Sequence, residues 1–163
     1  MSTSSTIHPQ PEIAERLLAL QKRLNGVVTF YQRNLDFTTM VYAHWSAKDI
    51  LGHLMFWHES FARNLRDVSE GQKSNPLKGK LSEVNQLGVE ATRPVPIDKL
   101  LVRLNIAQRV VEEHIFNTEV QLIPYKKGSR DYSRKEHLEI VAAHIKRHLK
   151  DLHKKYHLKY AET

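Results

Sequence analysis

The sequence predicts an all-α protein, an up-down-down-up four-helix bundle with a long crossover between its second and third helices. Three features carry that reading. Apolar residues recur with a period near 3.6 in four separate stretches, strand-like alternation is nearly absent, and the long gap between the middle stretches is rich in Gly and Pro. A length of 163 residues suits one domain, over 11–160, that buries roughly two-thirds of its unfolded surface around a single core. Residues 1–10 read as a disordered polar tail.

The first helix opens at Pro11, whose missing N–H costs nothing in a first turn. It carries Ile13, Leu17, Leu20, Leu24, Val27, Val28 and Tyr31 on one side. The second starts at "WSAKDI", where Ser46 is an N-cap and Asp49 can return the bond as a capping box. Its stripe is Ile50, Leu54, Trp57, Phe61, Leu65 and Val68, and Gly71 ends it. The connection over 71–97 holds three of the six prolines and one short helical stretch, "SEVNQLG". After Pro96 the third helix presents Leu100, Leu104, Ala107, Val111 and Ile115. A break at "IPYKKGSRDYS" precedes the fourth, capped by Ser133 with Glu136 in the reciprocal position, and its stripe is Leu138, Val141, Ile145, Leu149, Leu152 and Tyr156. Links one-to-two and three-to-four predict antiparallel neighbours.

Composition narrows the chemistry. The absence of cysteine excludes disulfides, thiolate ligands and a cysteine nucleophile, and fits a reducing cytoplasm. No window approaches the about eighteen apolar residues of a membrane span, and "MSTSSTIHPQPE" lacks the pattern of a signal peptide. The formal charge of +7 raises the question of a polyanionic partner. Much of the excess lies on the fourth helix, in Lys146, Arg147, Lys150, Lys154, Lys155 and Lys159. A solvated helix face looks the same, so nucleic acid is not the expected partner.

Four of the ten histidines lie within "HIKRHLKDLHKKYH". Helical phase separates them, because residues four apart share a face. His144 and His148 flank the apolar stripe, whereas His153 and His157 read as solvated. His53, in "DILGHLMFWH", flanks the second helix's stripe in the same way. If those two helices are neighbours, three imidazoles converge and leave positions for water or substrate. Three histidines are a ligand count of catalytic zinc, and imidazole also suits nickel or iron. Taken singly, each is equally well a partly buried, hydrogen-bonded residue; together they favour a metal. His114, beside the third stripe, is a candidate acid/base or fourth ligand, and Trp57 a candidate pocket-lining residue. His58, Glu59 and Asp49 read as structural.

The residues of "HWSAKDILGHLMFWHESF" resemble the start of the second helix in the DinB-like four-helix bundle superfamily, where a Trp-Ser-x-x-Asp/Glu opening precedes a ligand histidine. "HIKRH" is similar to that superfamily's His-x-x-x-His on the last helix. The resemblance runs from Ile13 to Tyr156 and places a metal triad on His53, His144 and His148. It implies a homodimer and a metal-dependent thiol transferase or isomerase, in which zinc or nickel binds a low-molecular-weight thiol as thiolate. Members commonly follow the last ligand with Arg-Gly-Gln, whereas this chain has Leu149-Lys150-Asp151. "WSAKDILGHLMFWHE" with "GQKSNPLKGKLSEVNQ" is also similar to the ClbS/DfsB branch, whose namesake opens the cyclopropane of a DNA-damaging metabolite and need not use a metal triad.

The leading expectation is a metal-dependent thiol S-transferase or hydrolase acting on a small electrophile in detoxification or stress response. A metal-free resistance or small-molecule-binding protein is the second. A basic DNA-associated or interaction module is the third.

Overall fold

The computed structural model describes residues 7–161, so positions 1–6 of the expected tail lie outside them. The remainder of that segment is held to the bundle: His8 packs on Phe116, and Gln10 Nε2 donates to the Phe116 carbonyl. Five α-helices follow: α1 Pro11–Tyr31, α2 Ala47–Ser69, α3 Leu81–Thr92, α4 Ile97–His114 and α5 Arg134–Lys155. Among the described residues there are isolated β-bridges but no strand. No helix there is long and apolar enough to cross a membrane.

Both capping boxes form. Ser46 Oγ accepts from Asp49 N–H while Asp49 accepts from Ser46 N–H, and Ser133 with Glu136 repeats the arrangement at α5. These caps fix where α2 and α5 begin and hence which way each later residue points. The apolar stripes then meet in one core, with Leu20, Val27, Ile50, Leu100, Val111 and Leu138 fully buried. α2 buries more than the single expected stripe. Leu51 and Met55 are also covered, because α3 lies across α2's second face.

The helix pairing differs from the antiparallel neighbours expected of consecutive helices. α2 packs chiefly on α4, and α1 on α5. Lys135–Glu12 and Arg16–Glu139 join the N-terminal turns of α1 and α5, while Phe30 meets His153 and Tyr156 at their C-terminal ends. Three levels likewise tie α2 to the α3–α4 limb, in chain order: Asp49 with Arg93, Glu59 with Arg103, Ser69 with His114. The reason lies in the links. Residues 32–46 and 115–133 are structured loops that do not force adjacency, whereas only residues 93–96 separate α3 from α4.

The α2–α3 crossing is close enough to require glycine on both sides. A Cβ on Gly52 would lie 2.8 Å from Thr92 Cβ, and one on Gly88 would lie 2.6 Å from Phe56 Cγ. Gly52→Ala should therefore destabilise the protein by about 1–3 kcal/mol through overpacking, read as a lower urea midpoint with unchanged slope. An unchanged midpoint would show that the crossing has slack.

Candidate metal centre

The site lies where α5 passes α2. Capping at Ser46 sets the phase that turns His53 inward. On α5, buried Leu138, Ile145, Leu149 and Leu152 set the rotation, which leaves His144 and His148 facing α2. His53 Nε2 stands 2.9 Å from His144 Nε2, and His148 Nε2 stands 3.1 Å from the same atom. All three ligand atoms lie within 4.8 Å of one another. His53 and His148 are buried and His144 is half-buried.

A chain of hydrogen bonds fixes one tautomer. The Tyr42 hydroxyl donates to Asp151 Oδ2 at 2.5 Å and lies 2.8 Å from His148 Nδ1. Its hydrogen is committed to the carboxylate, so its oxygen accepts from His148 Nδ1–H, and His148 Nε2 presents a bare lone pair to the cluster. Burial and the bond to Asp151 hold the Tyr42 hydroxyl well above its usual pKa, so it keeps that hydrogen. His53 is oriented by packing: its ring lies 4.7 Å from that of Trp45, and its Nδ1 has no hydrogen-bond partner among the described residues.

All three imidazoles are neutral. Burial is the largest cause. It pushes His53 down to about 2, with His144, His148 and Arg147 adding repulsion. His144 falls to about 3 through burial, His148 and Arg147. His148 falls to about 4 through burial and Arg147, against the pull of Asp151. Neutral imidazole is the metal-binding form.

The nitrogens also fit a cation better than they fit one another. With His148 Nε2 bare, its contact to His144 is a hydrogen bond only if His144 Nε2 carries the hydrogen. His53 Nε2 must then be bare too, and one hydrogen faces two lone pairs. A divalent ion, with Zn–N bonds of about 2.0–2.1 Å, satisfies all three after small side-chain shifts.

In front of the triad a pocket of about 620 Å³ is lined by Trp45, Trp57, Leu81, Asn85, Tyr125 and Ile140 among others. Trp57 is therefore at the pocket, stacked on Tyr125 with ring centroids 5.0 Å apart, and its Nε1–H donates to Asn85 Oδ1 at 2.7 Å. A Leu77–Lys126 bridge ties the loop that carries Tyr125 to the crossover.

His114 is not brought to the triad. It bonds Ser69 at the far end of α2, about 24 Å along the helix from His53 at 1.5 Å per residue. His153 is also not solvated as expected. It is half-buried between Phe30 and Tyr160 and donates from Nδ1 to the Leu149 carbonyl, because the segment after α5 folds back over its last turn. His157 is exposed. His58 is buried against Gln108, and Glu59 pairs with Arg103. Sequence reasoning missed Tyr42, Asp151, Asn85 and Tyr125. Only Asp151 left a trace, three residues after His148 on the same helical face.

Fold and site together define a helical bundle with an open three-histidine centre. Two solved structures share the fold, the mycothiol-dependent maleylpyruvate isomerase and a histidine-to-alanine mutant of it, each with a TM-score of 0.70, at 13% and 12% identity. Each match covers 93% of this chain but 63% of the isomerase chain, so this chain spans less than two-thirds of that protein's length. At such identity the likeness carries the fold, which agrees with the DinB-like resemblance of the sequence. No protein-family model and no curated protein matches the chain.

Tyr42→Phe removes the acceptor that orients His148 and should weaken zinc binding about 10–100-fold, measured by competition with a chromophoric chelator; undiminished affinity would show the relay to be idle. The pH dependence of the metal-free protein follows from the same burial. Unfolded histidines take up protons near pH 6.5 while the folded triad and His58, itself held to about 4, resist them. Stability in chelator should be full above about pH 6.5 and fall as the pH drops toward 4. A flat urea midpoint between pH 7.5 and 4.5, taken as roughly bracketing that window, would contradict buried neutral imidazoles.

Proposed function

We propose that the protein is a metal-dependent enzyme acting on a small electrophilic compound, with His53, His144 and His148 holding a divalent zinc, nickel or iron ion. The observation that carries this reading is the meeting of three neutral Nε2 atoms at the floor of an open pocket. When bound, the ion supplies Lewis acidity that lowers the pKa of a water or thiol at its open position.

The chain's own residues do the rest. Tyr42 and Asp151 hold His148 in the ligating tautomer. Trp45 fixes the His53 ring, and Trp57 with Tyr125 forms an apolar wall that shields the reacting groups from water. The isomerase that shares the fold is described as mycothiol-dependent, which supports a low-molecular-weight thiol as co-substrate and thiol S-transfer ahead of hydrolysis. The end-to-end pairings of α1 with α5, and of α2 with the α3–α4 limb, support an up-down-down-up order for the four long helices.

Elemental analysis after zinc or nickel loading and dialysis tests the reading. Wild type should retain about one ion per chain, and the His53→Ala/His148→Ala variant none, while circular dichroism shows both folded. Thiol conjugation to monochlorobimane should follow the metal. Folded wild type that retains no ion would overturn the proposal.

A further inference from the structure

Beyond the triad's imidazole nitrogens, Arg147 and Asn85 bring hydrogen-bond donors to the pocket. Arg147, one residue before His148, is exposed, lines the pocket and has no carboxylate or carbonyl partner among the described residues. Asn85 lines it from α3, and its amide orientation is determined: indole Nε1–H can only donate, so the oxygen of Asn85 faces Trp57 and its NH₂ group is left with two hydrogens to give. Asn85 makes no other hydrogen bond among the described residues. No Asp or Glu lines the pocket; Asp151 lies behind His148 and is bonded to Tyr42. The other lining groups include the faces of Trp45 and Trp57 and the side chains of Leu81 and Ile140.

We propose that this pocket selects a small carboxylate-bearing molecule, whose anionic end is held by Arg147 and the Asn85 amide while its flat or apolar body lies on the tryptophans. A guanidinium pairs with a carboxylate through two parallel N–H···O bonds, which are stronger and more directional than neutral ones. An ammonium compound meets uncompensated positive charge here, and a neutral one leaves the guanidinium's donors to water. The pocket's volume, about 620 Å³, is within the range of small-molecule sites. The inference rests on the proposed function for what happens to the bound molecule, but the selectivity belongs to α3 and α5 and needs no metal.

Benzoate, benzamide and benzylammonium serve as probes of near-equal shape and different charge. Binding is followed by NMR shifts of the Trp45 and Trp57 indole N–H groups, in chelator-treated and in zinc-loaded protein at fixed ionic strength. Benzoate should bind roughly tenfold or more tightly than benzamide in both forms, and benzylammonium should not saturate. Arg147→Gln should bring benzoate down to the benzamide level. Asn85→Asp, which keeps an acceptor for Trp57 but replaces the donor with a negative charge, should abolish benzoate binding. Both variants should still retain zinc, while Lys154→Gln, a charge control outside the pocket, should leave the benzoate preference unchanged. Equal affinity for benzoate and benzamide, or a preference unmoved by Arg147→Gln, overturns the inference. So does a preference that exists only with zinc and survives in both variants, which would make the ion the anion site. Loss of metal binding with the preference intact would sink the proposed function and leave this inference standing.

Discussion

The rotation of α5 against α2 is the constraint on which the site depends. Ser133 and Glu136 fix where α5 begins, and Leu138, Ile145, Leu149 and Leu152 fix its azimuth by filling the core. His144 and His148 face α2 as a consequence of that burial. A turn of the helix by one residue, about 100°, would send both to solvent and expose the leucines. Burying one apolar side chain is worth about 1.5–3 kcal/mol, so several together easily outweigh the cost of bringing two imidazoles out of water. The core thus pays for the electrostatic frustration at the site. Three imidazole nitrogens are held within 4.8 Å of one another, although a single hydrogen faces two lone pairs.

Helical phase explains both what the sequence revealed and what it hid. Phase gives the azimuth of a side chain, and azimuth was enough to pick His53, His144 and His148 from ten histidines and to bring Trp57 to the pocket. Height along the bundle comes from the loops and caps. His114 had an acceptable azimuth, yet α2 and α4 are matched so that it stands beside Ser69, at the end of α2 remote from His53. The same limit produced the error in helix pairing, since link length bounds adjacency without choosing it. His153 was misjudged for a third reason: the chain beyond α5 folds back and covers a face that the helix alone leaves open.

The residues that no periodicity marked lie mainly in irregular backbone or on the short crossover helix. Tyr42 is placed by a turn in which the N–H groups of Val41 and Tyr42 both reach the Trp45 carbonyl. Tyr125 sits in the loop over 115–133, pinned through the Leu77–Lys126 bridge. Asn85 reaches the pocket only because Gly52 and Gly88 let α3 approach α2 without clashing Cβ atoms. The glycine beside His53 therefore acts on the site indirectly, by admitting the helix that supplies one wall. In the sequence Gly52 looks like a weak point in a helix; in the fold it is the clearance for a neighbour.

Charge at the site is arranged in depth. Asp151 stands behind His148, separated from the pocket by the imidazole and by Tyr42, and its field favours positive charge on the ring side facing inward. Arg147 stands in front, and its field disfavours protonation of all three histidines. The carboxylate three residues after the last histidine thus has a local role through Tyr42. Three neutral imidazoles would leave a bound divalent ion's charge uncompensated by its protein ligands, and no lining acid offsets it. Arg147 and the Asn85 amide add positive potential on the pocket side. Such a pocket favours the deprotonated form of whatever nucleophile enters it, because proton loss converts a neutral guest into an anion where an anion is most stabilised.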